Sequence, residues 1–303
     1  MKRWVGLAGI FVLACGHAAA DHDGLGDAAY GRADYPTALA EYHAAAKSGA
    51  AAPLLARIGA AALHTGDLRE AADAYRRLAA LDPTRRNEAA AGLDRVARAA
   101  DRLNDSAALL SAILTLRSIA PDRVTGRQAL GLVRSGKLEP ADLVGAMPFA
   151  LAAAGDGDLV DSLLNAYAGA LQETTDCEAA ADGFQAVLRR ASEPRIRIVA
   201  SRGVSECALT LGREALELRE PEKAILWFQR GATADSASDT GRLSLLGLGD
   251  ARLSQGDLVG AAIAFQSAAL RDAADSIGTV ATQRLNALST APVQPDSSSS
   301  KAP

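Results

Sequence analysis

Aromatic residues are scarce in this 303-residue chain: two Trp, five Tyr and five Phe, 4% of the whole. Sheets are stabilised by β-branched and aromatic side chains, and no stretch here is rich in them, so no strand is expected. Histidine is as rare. The four are His17, His22, His43 and His64, and none stands in an H-E-x-x-H arrangement. His22, between Asp21 and Asp23, reads as part of a solvated acidic segment rather than as a metal ligand. Of the three cysteines, Cys177 and Cys207 lack the nearby histidine pair a zinc tetrad would need. The nucleophile elbow G-x-S-x-G is missing as well, since Gly203-Val204-Ser205-Glu206-Cys207 lacks the second glycine. Gly24-Leu25-Gly26 and Gly247-Leu248-Gly249 follow no strand, which removes a phosphate-loop reading. No metal, cofactor or catalytic residue is therefore expected. An enzyme site in the less regular stretch 124–175 would have to rest on ordinary acids such as Asp156 and Asp158. Charge of one sign is also absent. The 32 basic and 36 acidic residues are interleaved and sum to −4, with no basic stripe for a nucleic acid.

Long apolar runs are few. The stretch Trp4–Ala14, after Lys2 and Arg3, is too short for a membrane-spanning helix, which needs about 20 apolar residues. A charged start followed by a short apolar run reads as a secretory signal over 1–20. Losing Lys2 and Arg3 with it takes the net charge from −4 to −6. Processing has two readings. Val12-Leu13-Ala14-Cys15 resembles a bacterial lipobox, and that resemblance implies acylation of Cys15. With Gly16 rather than Asp next in line, it implies an outer-membrane anchor facing the periplasm. Ala18-Ala19-Ala20 before Asp21 instead suits cleavage after Ala20 and a soluble periplasmic protein. Export permits a disulfide between Cys177 and Cys207, each placed near the start of a helix; the alternative is two separate buried thiols.

What the chain has in abundance is alanine, the best intrinsic helix former. Hydrophobic residues make up 49%, and most of them sit in helical patterns. Residues 52–85 show a unit. Leu55, Ile58 and Gly59 are followed by Ala62, then Ala71, Tyr75 and Leu78, and Pro83 closes it. Gly66-Asp67 breaks the first helix, and Asp67 with Glu70 has the spacing of a capping box. Similar spacing recurs from Ser205 (Ala208, Leu211, Gly212, Ala224, Phe228) and from Arg242 (Leu245, Leu248, Gly249, Ala261, Phe265). A first block carries Gly26, Ala38, Tyr42 and Ala45. A period near 34 residues is the mark of stacked helix pairs, each burying its face on the next.

These units resemble tetratricopeptide repeats. The resemblance implies an all-α, right-handed α-solenoid of antiparallel helix pairs with an irregular helical middle. Expected segments are repeats over 21–123, irregular helices over 124–176, repeats over 177–289 and a disordered tail over 290–303. The 37-residue step from Phe228 to Phe265 exceeds the usual 34 and predicts longer helices or a longer turn near the C-terminus. The aromatics at 42, 75, 228 and 265 are expected between helices, as packing. In such repeats the first helix of each pair lines a concave face. That resemblance assigns the lining to Ala56, Ala60, Leu63 and His64, to Leu209, Arg213, Leu216 and Glu217, and to Leu246, Asp250 and Leu253. The Lys and Asn set with which some relatives hold a terminal carboxylate is missing. The expectation is a protein-binding scaffold with partners in the cell envelope.

Overall fold

A computed structural model describes residues 21–47, 49–123 and 126–290. The signal segment with Cys15, and the tail beyond Thr290, lie outside the described residues. Those described are helical, with no strand among them. They form two compact units, one ending at Arg123 and the other beginning at Gly126.

The first unit holds three helix pairs: α1 (His22–Gly31) with α2 (Tyr35–Ala46), α3 (Ala52–Thr65) with α4 (Leu68–Leu81), and α5 (Arg86–Leu103) with α6 (Ser106–Ile119). The second holds α7 (Gly126–Arg134) with α8 (Pro140–Ala153), α9 (Gly157–Glu173) with α10 (Cys177–Arg190), α11 (Pro194–Glu217) with α12 (Pro221–Ala234), and α13 (Asp239–Ser254) with α14 (Leu258–Ala269). The last helix, α15 (Ser276–Thr290), packs on α14 and α13. It includes Thr290, which the sequence reading assigned to the tail. Within each unit every helix packs on its chain neighbour, and first helices of successive pairs also touch: α3 with α5, α9 with α11, α11 with α13. That double adjacency is the signature of stacked repeats.

The turn inside a pair is built one way again and again. One residue enters the left-handed region: Ala33, Gly66, Asn104, Thr175 or Gly256. The aspartate after it caps the second helix. Asp34, Asp67, Asp105, Asp176 and Asp257 each accept the backbone N–H three residues on. Capping satisfies a donor that the first helical turn would leave unpaired. At Asp67 the cap forms, but Glu70 does not reach back to complete a box. Its carboxylate is held by His43 Nε2 at 2.5 Å. Arg219 makes the same left-handed turn before Glu220, without the cap bond.

The turn also redraws the middle of the chain. Thr175-Asp176 joins α9 to α10 as Gly66-Asp67 joins α3 to α4. Residues 157–190 are therefore a helix pair of the repeating kind, and the expected edge at 176/177 falls inside it. Thr175 is β-branched, exposed and held at φ 67°, a conformation glycine adopts freely. Thr175→Gly is expected to stabilise the chain by roughly 0.5–1 kcal/mol, measured by urea unfolding.

Between helices, both within and between pairs, aromatic rings lie on bare backbone. Tyr42 covers Gly26, Phe184 covers Gly203 and Phe265 covers Gly249. Tyr75 is flanked by Gly59 and Gly92, and Phe228 by Gly212 and Gly247. A Cβ added at Gly92 would stand 2.4 Å from the Tyr75 ring, so no other residue fits there. The four aromatics read from the sequence as packing residues are all buried, and Phe184 joins them. The 37-residue step at the C-terminus is taken up partly by α13, which has 16 residues where α3 has 14.

Candidate interaction groove

Helices α9 and α11 are first helices of successive pairs and lie side by side. On α9, Asn165, Gly169, Gln172 and Glu173 fall at intervals of four, three and one, which places them on one face. On α11, Val199, Arg202 and Glu206 fall at intervals of three and four and do the same. Together with Leu138 just before α8 and Leu143 in its first turn they line a cavity of about 770 Å³. Its floor includes Phe184 and Gly203, so the ring-on-glycine contact that stacks the pairs also shapes the groove.

The lining is mixed in chemistry. Leu138, Leu143 and the half-exposed Val199 give an apolar stretch. Gln172 Nε2 donates to Glu206 Oε2 at 2.9 Å and ties the two helices together. Arg202 and Glu173 are exposed at the rim. Asn165 Oδ1 stands apart from these. It is buried and accepts no hydrogen bond. A buried carbonyl left unpaired costs about 1–3 kcal/mol, and few native groups are left so.

The residues assigned to the concave face from the sequence differ in exposure and surroundings. Ala56 is buried, Ala60 and Leu63 are half-buried, and His64 is exposed. The His64 ring stacks on Tyr35, with centroids 4.1 Å apart and planes at 7°, and Tyr30 stands edge-on to both. Leu209 is part of the core, packed with Phe228, Leu248 and Ala264, and Leu216 leans on the same cluster. Arg213, Glu217 and Leu253 are exposed, while Leu246 is half-buried. Asp250 is not a free groove charge, because Arg284 of α15 binds it. None of these residues lines the α9–α11 cavity. For the residues on α11 the reason is the length of that helix, 24 residues against 14 in α3. A repeat started at Ser205 leaves out its first half, where Val199 and Arg202 lie.

Other charged groups near the N-terminus are paired internally. His22 Nδ1 meets Glu41 at 2.7 Å, and Arg57 binds Asp23 and Asp27. The Tyr42 hydroxyl donates to Asp27 at 2.8 Å, and burial with that bond pushes its ionisation well above the usual tyrosine range. Among the described residues no three His, Cys, Asp or Glu are grouped to hold a metal, and no helix is long and apolar enough to cross a membrane.

Comparison with known proteins adds little to this geometry. No family model and no curated protein matches the chain. Among solved structures, the C-terminal part of a TPR repeat-containing protein from Cytophaga hutchinsonii is 12% identical, over 84% of this chain and 97% of that one, with a TM-score of 0.32. BtubC (BKLC) from P. vanneervenii is 17% identical over 75% and 83%, with a TM-score of 0.31. The TPR2AB domain of yeast Sti1, solved with pHSP90, is 14% identical over 88% and 97%, with a TM-score of 0.28. Scores this low carry no argument. The fold is tetratricopeptide-like on its own evidence: antiparallel pairs, capped left-handed turns, and rings packed on glycine between helices.

Proposed function

We propose that this chain is a non-catalytic protein–protein interaction scaffold, and that a partner segment docks in the α9–α11 groove. The observation that carries the reading is Asn165 Oδ1, buried in a groove wall with no donor. A partner that turns the Asn165 amide into the groove and offers it an N–H removes that cost, and its apolar side chains fit against Leu138, Leu143 and Val199. Groups of opposite sign pair with Arg202 and Glu173 at the rim, where charges steer encounter more than they add affinity.

Asn165→Leu separates binding from folding. It removes an unpaired buried carbonyl at similar volume, so the free chain is expected to gain about 1–2 kcal/mol in urea unfolding. Partner capture is expected to fall at least tenfold. A variant that binds normally would refute the docking role.

The location proposed for this scaffold is the bacterial envelope. The signal-like start supports export, and the lipobox resemblance supports an outer-membrane lipoprotein that faces the periplasm. There it would serve assembly of an envelope machine, of the pilus or secretion, outer-membrane protein or polysaccharide-export type. The second reading is a soluble periplasmic accessory of cell-wall or division machinery, favoured by Ala18-Ala19-Ala20 before Asp21. Metabolic labelling with a fatty acid decides between them. Cys15→Ser is expected to abolish the label; an unlabelled wild-type chain would support the soluble form.

A further inference from the structure

We propose that Cys177 and Cys207 are a site of oxidation that closes a disulfide between α10 and α11. The sequence placed both near helix starts, and the structure corrects one of them. Cys177 is the first residue of α10, but Cys207 lies in the middle of α11, fully buried. Both are free thiols in this structure. They nonetheless share one core: Cys177 packs against the buried cluster that holds Cys207 with Ala180, Phe184 and Val204, where α10 and α11 lie against each other.

Two arguments separate this from a chance pair of small apolar side chains. Only three cysteines occur in the whole chain, and two of them, 30 positions apart in sequence, pack into the same core cluster. Alanine fills the other small buried positions around them, at 168, 180, 181, 200 and 208. The second argument is that both backbones are held. Asp176 caps α10 next to Cys177 and donates its own N–H to Leu171. Phe184 fixes α11 through Gly203, one turn before Cys207. With both backbones held in one cluster, side-chain rotation is what has to bring the sulfurs to the roughly 2.05 Å of a disulfide.

The two cysteines are unequal, and this sets the order of events. Cys177 is partly exposed and meets an oxidant first. Burial, then the neighbouring Cys177 thiol, pushes the Cys207 thiol far above its ordinary value. With oxidised glutathione as oxidant, the Cys177 thiolate attacks one glutathione sulfur and expels the other as thiolate. Cys207 then loses its proton to solvent and attacks the Cys177 sulfur. The second glutathione leaves, so two thiols have become one disulfide and two glutathiones are reduced. The product ties α10 to the helix that carries Val199, Arg202 and Glu206. The inference does not require that the groove be occupied.

The test uses the full chain, reduced, then equilibrated in a glutathione buffer and mapped without reduction. The expected product is one linked peptide pair holding Cys177 and Cys207, with two hydrogens lost. The oxidised form is expected to melt roughly 5–10 °C above the reduced one. A brief pulse of alkylating reagent on the native reduced chain is expected to mark Cys177 and spare Cys207. Cys207→Ala, a small residue in an alanine-rich core, is expected to leave Cys177 trapped as the glutathione adduct. The proposal is overturned if wild-type Cys177 stops at that adduct with Cys207 reduced. It is equally overturned if the link forms only after unfolding, or if oxidation lowers the melting point.

Discussion

Tyr75→Ala is expected to cost about 3–5 kcal/mol in urea unfolding. Tyr75 is 1% exposed, and its ring lies between the backbones of Gly59 and Gly92. Truncation leaves a void, and glycines on two sides have no side chain that could swing in to fill it. The reciprocal change is informative. Gly92→Ala puts a Cβ 2.4 Å from the ring, and so forces α5 or the tyrosine to shift; overpacking of this kind costs about 1–3 kcal/mol. In the Tyr75→Ala background the same substitution is expected to be nearly free, because the ring it struck is gone. A coupling of more than about 1 kcal/mol in the double-mutant cycle would show that ring and glycine act as one packing unit. Additive costs would contradict that.

Arg242→Ala is the second large effect. Arg242 is 1% exposed, the largest fully buried side chain among the described residues. Its Nε donates to Ala268 O at 2.9 Å and its Nη2 to Asp272 O at 3.1 Å. Both terminal nitrogens bind the Asp275 carboxylate. Asp275 in turn caps α15, accepting Gly278 N at 2.7 Å. One guanidinium thus clips α15 to the end of α14. Removing it leaves two carbonyls and a carboxylate without their donor, a loss of about 2–4 kcal/mol. Arg242→Lys is expected to recover only part, since an ammonium cannot reproduce the planar fork. Hydrogen exchange should accelerate most in α15.

The same clip has a pH signature. The bond from Arg242, then that from Gly278 N–H, lowers the Asp275 carboxyl to about 2. A carboxyl depressed in the folded state contributes stability above its unfolded value, near 4, and loses it as pH falls toward 2. Asp275→Asn is expected to flatten stability against pH across that window, as measured by urea unfolding from pH 5 to pH 2.

Much of this fold is written locally. Gly66-Asp67, Asn104-Asp105 and Gly256-Asp257 announce their turns, because the left-handed residue is Gly or Asn and the cap is Asp. Thr175-Asp176 makes the same turn with a residue that carries no such signal, and the α9–α10 pair passes for irregular sequence. Tyr42, Tyr75, Phe228 and Phe265 are legible as packing because small residues recur at fixed distances from them. The groove is less legible for a geometric reason. Its residues depend on where a first helix begins, and α11 starts well before the repeat spacing places it. Spacing does carry a trace of it, in Asn165-Gly169-Gln172 and Val199-Arg202-Glu206. The ties between Asp250 and Arg284 and between Gln172 and Glu206 both span 34 residues, one repeat, and depend on register between neighbouring pairs. Arg242 gives no sequence hint that it is buried, since only packing of α15 encloses it.

The most direct test of the account is a photo-crosslinking residue placed in the groove at Val199 and, separately, at Val259 on α14. Both positions are exposed, at 50% and 72%. Cells that make the full chain are irradiated and adducts are read by mass. A discrete protein adduct is expected from position 199, lost when Asn165→Leu is added, with none from position 259. Equal adducts at both positions, or a position-199 adduct that survives Asn165→Leu, would contradict docking in the α9–α11 groove.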